Sequence, residues 1–70
     1  MTILLTGASG FLGRHVLPQL AKQPLRLLVL PNDPALPELR KQAQVVTGDV
    51  TWPESLVPAL VGVTHVIHLA

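Results

Sequence analysis

Cysteine is missing from this sequence, and so is tyrosine. Without cysteine there is no disulfide, no thiolate metal site and no cysteine nucleophile. Aromatic residues as a whole are scarce, Phe11 and Trp52 being the only two. Charge is sparse as well: 13% of the residues are Asp, Glu, Lys or Arg, and the net charge is +1. The basic residues Arg14, Lys22, Arg26, Arg40 and Lys41 are dispersed and form no stripe interleaved with aromatics, so nucleic-acid binding is not expected. No apolar run approaches the roughly 18 residues a membrane helix needs. No basic stretch precedes the first apolar run, so neither a membrane span nor a signal peptide is expected, and a cytoplasmic location is the default.

What the sequence has in quantity is apolar side chains, 49% of 70 residues. A chain this short buries only about 60% of the surface its unfolded form exposes. Such a composition suits strands covered on both faces, as in a parallel sheet, and implies more neighbours than these residues supply.

No repeat, linker or low-complexity tract interrupts the chain, which reads as one alternating series. Ile3, Leu4 and Leu5 predict a short buried strand ended by Thr6 and Gly7. A helix is expected from about Gly10, with Leu12, Val16, Leu17 and Leu20 inward, loosened by Pro18 and closed by Pro24. Leu25 to Leu30 predicts a second strand, and Asp33 or Pro34 opens a second helix running to about Gln42, with Leu36 and Leu39 inward. A third strand over Val45 to Thr47 ends at Gly48. The stretch "TWPE" at 51–54 has capping-box form, Thr51 and Glu54 each able to satisfy an orphan amide of a third helix. Gly62 suits the left-handed position after that helix, and Thr64 to Ala70 predicts a fourth strand. The order is β-α-β-α-β-α-β. Right-handed crossovers then give a parallel sheet with strands in the order 3-2-1-4, the first half and slightly more of a doubly wound α/β fold. Strand four, ending in "HVIHLA", would be an apolar edge open to self-association.

The chemistry lies in "LLTGASGFLGRH", residues 4–15, between the first strand and the first helix. Gly7 permits the sharp turn, Gly10 lets backbone amides approach a pyrophosphate, and Gly13 lets helix pack closely on strand. The helix start adds unpaired N–H groups for the phosphates, and Thr6 and Ser9 can shape the turn by local hydrogen bonds. Inside a βαβ series such a loop points to dinucleotide binding rather than to an empty turn.

The spacing T-G-x-x-G-x-x-G resembles the short-chain dehydrogenase/reductase superfamily. "TGASGFLGRHV" is most similar to its extended branch, the NAD-dependent epimerase/dehydratase and dihydroflavonol-reductase-like proteins. "GDV" at 48–50 and "VIHLA" at 66–70 agree with that branch in order and spacing, so the resemblance covers essentially the whole chain. It implies an NAD(P)-binding Rossmann domain over 1–70, forming the N-terminal part of a longer protein. Carried over, Gly7, Ser9, Gly10 and Gly13 form the phosphate loop, with Phe11 and Leu12 supplying adjacent amides. Asp49 accepts from the adenine amino group unless it is only a turn carboxylate, Val50 packs on the ring, and Leu69 and Ala70 border the cofactor.

Two departures from the family matter. An acidic residue after strand two usually takes the ribose 2′-hydroxyl of NAD, and an arginine the 2′-phosphate of NADP. Here the first such positions are Leu30 and Pro31, and Asn32 or Asp33 could reach the ribose instead. Asp33 equally suits the start of helix two, and Arg14 is either a phosphate partner or a solvated helix residue. The cofactor is therefore NAD or NADP, with a lean to NAD. The second departure is that the family's catalytic tyrosine, with its lysine four residues on, is not among these residues, since there is no tyrosine and the only lysines are Lys22 and Lys41. No catalytic residue and no metal site is assigned. His65 and His68, three apart on a strand, face opposite ways, and His15 is a helix packing or surface residue. The expected parent chemistry is nicotinamide-dependent oxidoreduction, or epimerisation or dehydration of a sugar nucleotide. The alternatives are an NAD(P)-sensing regulator of the atypical NmrA-like branch and an inactive truncated product. The 70 residues alone are expected to fold marginally and to show no turnover.

Overall fold

The computed structural model describes residues 1–70 and contains four strands and three short α-helices. Strand β1 is Ile3–Thr6, β2 Leu25–Val29, β3 Gln44–Thr47 and β4 His65–His68; helix α1 is Phe11–Val16, α2 Leu36–Arg40 and α3 Val57–Leu60. Every pairing is parallel, and the strands lie in the order β3-β2-β1-β4. This is the expected 3-2-1-4 half of a doubly wound sheet; β1 and β3 each gain one residue over the expected runs, at Thr6 and Gln44, while β2 stops at Val29 and β4 covers only His65–His68 of the expected Thr64–Ala70.

The register aligns side chains into rows across the sheet. Val45, Leu27, Leu5 and Ile67 are paired neighbours in one row. Leu5 and Leu27 in that row are fully buried, and Leu17 and Leu39 join them in a common core. On the opposite face Leu4 and Leu28 pack with Ala59 of α3 in a smaller cluster. Successive strand residues alternate faces, so a run such as Leu27–Leu28–Val29 is buried throughout only because both faces are covered.

Helix α1 departs from expectation in two ways. Leu12, expected inward, is 56% exposed. The inward line runs instead through Gly13, Val16, Leu17 and Leu20, and Leu12 sits about 100° round the helix from Gly13. Pro18 then ends the α-helix at Val16, and the chain goes on as a 3₁₀ turn over Leu17–Leu20. Its ring nitrogen has no hydrogen for the carbonyl four residues back, so the tighter turn takes over.

The capping box is also corrected. A 3₁₀ turn over Pro53–Leu56 precedes α3, and Trp52 stands at its N-terminal boundary with no side-chain cap. Both Thr51 hydrogens go to Asp49 Oδ1, the amide at 2.8 Å and the hydroxyl at 2.6 Å. An ionised carboxylate two residues upstream is a stronger acceptor than Thr51 is a cap. Gly62 has φ +73, the left-handed position foreseen for it after α3.

Candidate functional site

A cleft of about 380 Å³ opens at the C-terminal ends of the strands. Four segments build it: Thr6–Gly10 after β1, Leu28–Leu30 with Asp33 from β2, Gly48–Thr51 after β3, and Leu69 and Ala70 after β4. In open α/β sheets this end of the strands, where the strand order reverses, is where ligands sit. Here the reversal falls between β1 and β4.

The glycines of the first segment answer to different demands. Gly7 has φ +78, and a Cβ there would stand 2.7 Å from the Ala70 nitrogen. A Cβ on Gly13 would stand 2.0 Å from the Gly7 carbonyl oxygen, so this glycine lets α1 lie against the loop. Gly10 is another matter. Its backbone is extended, with φ −75 and ψ 173, and its nearest neighbour to an added Cβ is the Gly7 oxygen at 3.4 Å. The protein's own packing therefore does not require glycine at position 10. The residue leaves the cleft floor bare at this point. Gly10 N–H donates to the Gly7 carbonyl at 3.1 Å, and Arg14 N–H to the Gly10 carbonyl at 3.0 Å. Phe11, Leu12 and Gly13 fall in the first turn of α1, where amides have no intrahelical acceptor.

Two carboxylates line the cleft. Asp33 accepts the Ser9 hydroxyl at 2.6 Å on Oδ2 and the Ala35 amide at 2.9 Å on Oδ1. The Ser9 hydrogen bond, and after it the Ala35 amide, hold its carboxyl below the usual aspartate range. Asp49 is lowered likewise, first by the Thr51 hydroxyl and then by the Thr51 amide. Its Oδ1 is taken by its own turn, which leaves Oδ2 for a donor in the cleft. Ser55 Oγ fastens that turn, accepting the Asp49 amide at 2.9 Å and donating to the Trp52 carbonyl at 2.7 Å. No arginine, lysine or histidine is among the lining residues.

Of the residues singled out from sequence, Gly7, Ser9, Gly10, Asp33, Asp49, Val50, Leu69 and Ala70 meet in this cleft. Phe11, Leu12, Gly13 and Asn32 do not line it. The Asn32 side chain makes no hydrogen bond and is exposed, because the turn aims Asp33, one residue on, towards Ser9 instead. Arg14 lies in an adjoining groove with Glu38 and Gln42. Ala8, Leu28, Val29, Gly48 and Thr51 line the cleft without having been singled out as site residues, and Leu30 lines it at the first position after β2, where the residue that discriminates cofactors was sought. His65 and His68 bond to different threonines, His65 Nδ1 to Thr64 Oγ1 at 2.9 Å and His68 Nδ1 to Thr6 Oγ1 at 2.6 Å.

A parallel 3-2-1-4 sheet with a glycine turn and a cleft at its switch point defines a Rossmann-like nucleotide-binding α/β unit. The chain belongs to the NAD dependent epimerase/dehydratase family, whose model matches residues 3–70. Membership implies a nicotinamide dinucleotide cofactor. The chain is also similar to a ceramide reductase of Caulobacter vibrioides (strain NA1000 / CB15N), 41% identical over 70 residues that cover 97% of this chain and 22% of that protein. It thus spans about a fifth of that relative's length. No helix of the fold is long and apolar enough to cross a membrane.

Proposed function

We propose that residues 1–70 hold the adenosine diphosphate half of NAD for a nicotinamide-dependent reductase. Gly10 carries this reading: a glycine the fold does not need, bare on the floor of the cleft, is explained by a group that must come close to it. In this reading the pyrophosphate lies over Gly10, with amides of Phe11 and Leu12 facing it. Asp33 accepts the ribose 2′-hydroxyl, Asp49 Oδ2 accepts the adenine amino group, and Val50 and Leu69 cover apolar surface.

NAD is favoured over NADP by the charge of the site. Two ionised carboxylates line the cleft, no cation offsets them, and a 2′-phosphate beside Asp33 would meet repulsion. When bound, the dinucleotide supplies a hydride donor or acceptor at its nicotinamide ring. The similarity to a protein named a reductase supports oxidoreduction over epimerisation or dehydration. The sequence has no tyrosine, so the acid/base pair of short-chain dehydrogenases would come from the part of the protein that corresponds to the rest of the relative's length.

Calorimetric titration of NAD into the full-length protein tests the site. Gly10→Val removes the phosphate approach while meeting nothing in the fold nearer than 3.4 Å at its Cβ. It should weaken NAD binding by about 100-fold, the loss of two charge-assisted hydrogen bonds, with little change in the urea midpoint. Gly13→Ala should instead lower the urea midpoint, since its Cβ collides with the Gly7 carbonyl. Unchanged NAD affinity in folded Gly10→Val refutes the assignment.

A further inference from the structure

We propose that Ser9 is a specificity-determining positioning residue: its hydroxyl clasps the Asp33 carboxylate and holds it over the cleft, so that a free ribose 2′-hydroxyl is accepted and a 2′-phosphate is turned away. The inference rests on the NAD-site reading above and adds to it the device that gives the site its selectivity.

Asp33 does not sit at the end of β2, where a ribose-binding carboxylate is rigidly placed by the strand. It lies four residues beyond Val29, in the turn that leads to α2. A turn carboxylate anchored only at its own backbone can rotate about its side-chain bonds. Here the Ala35 amide holds Oδ1, and the Ser9 hydroxyl, from a loop 24 residues away in sequence, holds Oδ2 at 2.6 Å. Two donors from two segments fix the plane of the group, and each oxygen keeps a lone pair for a ligand hydroxyl.

The same bond removes Ser9 from a role in the phosphate loop. A serine hydroxyl has one proton, and Asp33 takes it. A phosphate only accepts hydrogen bonds, so it finds no donor in Ser9 while the clasp is closed. The hydroxyl therefore serves the ribose end of the site although its backbone belongs to the glycine turn. Arg14, the basic residue nearest in sequence, lies in the groove that also holds Glu38 rather than in the cleft.

The experiment is a set of calorimetric titrations with NAD and with NADP on the full-length protein, comparing wild type, Ser9→Ala, Ser9→Thr, Asp33→Asn and the Ser9→Ala/Asp33→Asn double variant. Ser9→Ala should lower the ratio of NAD to NADP affinity about tenfold, as expected for one charge-assisted hydrogen bond. Ser9→Thr, which keeps the hydroxyl, should restore it. The double variant should discriminate no worse than Asp33→Asn alone, because both changes act through one carboxylate. If Ser9→Ala weakens NAD and NADP equally, Ser9 only shapes the loop and the proposal is wrong. If Asp33→Asn collapses the ratio and Ser9→Ala leaves it intact, the clasp fails and the NAD-site reading stands. If Asp33→Asn itself leaves the ratio unchanged, the assignment of Asp33 to the ribose fails as well. Urea midpoints for each variant separate a folding defect from a change in selectivity.

Discussion

Asp33 could be read from sequence either as a ribose ligand or as the start of α2, but in the fold α2 begins at Leu36 with Ala35 at its boundary and no side-chain cap, and Asp33 closes the turn before it. Its Oδ1 closes the turn on Ala35, its Oδ2 is bound to Ser9, and the side chain lines the cleft. The hydrogen bonds that lower its carboxyl tie stability to pH in a definite sense. A group whose pKa falls on folding contributes stability that is complete above its unfolded value and is lost as the pH drops through the folded one. The urea midpoint of wild type should therefore exceed that of Asp33→Asn by a constant margin above about pH 5, and the margin should close as the pH falls below about 4. A margin that persists unchanged to strongly acidic pH would show that the ionised form adds nothing.

Short elements need help from outside themselves, and α3 shows how. It has only four residues, begins with no side-chain cap and leaves its last carbonyls without helical partners. Arg26, the second residue of β2, reaches across to it. The guanidinium Nη1 donates to the carbonyls of Ala59 and Val61, each at 2.7 Å, and Nε donates to Gln44 Oε1 at 3.1 Å. A cation at the C-terminal end of a helix is favourable on both hydrogen-bonding and dipole grounds. Arg26→Met keeps the aliphatic stem and removes these bonds, and should destabilise the fold by about 2 kcal/mol in urea titration. Arg26→Lys should recover part of the loss, since a single ammonium cannot reproduce the planar fork. No sequence pattern marks Arg26, because its partners lie 33 and 35 residues away. Pro18, by contrast, announced its effect on α1 plainly, since the missing N–H acts within one turn.

At the scale of the whole molecule, the two faces of the sheet are covered unequally. The 3₁₀ turn after α1, through Leu17 and Leu20, and helix α2 close one face over the Val45–Leu27–Leu5–Ile67 row, while α3 covers only Leu4, Leu28 and their neighbours on the other. Strand β4 pairs with β1 alone, and its Val66 is 54% exposed on the thinly covered face. An apolar edge strand with free backbone donors and acceptors is a template for pairing. The 70-residue chain prepared by itself should associate with increasing concentration in sedimentation velocity, and Val66→Lys should shift it towards monomer. A wild-type chain that stays monomeric at high concentration would count against β4 as a pairing edge. The cleft is a whole-molecule feature too, because its four walls come from loops after four different strands and meet only when the sheet is assembled.

The sequence by itself determined the alternation of strands and helices, the strand order 3-2-1-4 and the glycine turn at residues 7–13. These follow from short-range causes: apolar runs, punctuation by glycine and proline, and the right-handed crossover that parallel strands require. The family resemblance already stood on "TGASGFLGRHV", "GDV" and "VIHLA". The tertiary structure alone decided that Leu12 faces water, that Thr51 serves Asp49 rather than a helix, that Arg26 holds α3, and that Ser9 and Asp33 meet across the cleft. Each of these depends on which acceptor or neighbour lies nearest in space. A side chain's strongest partner is set by distance and charge once the sheet brings remote loops together, and spacing along the chain does not carry that information.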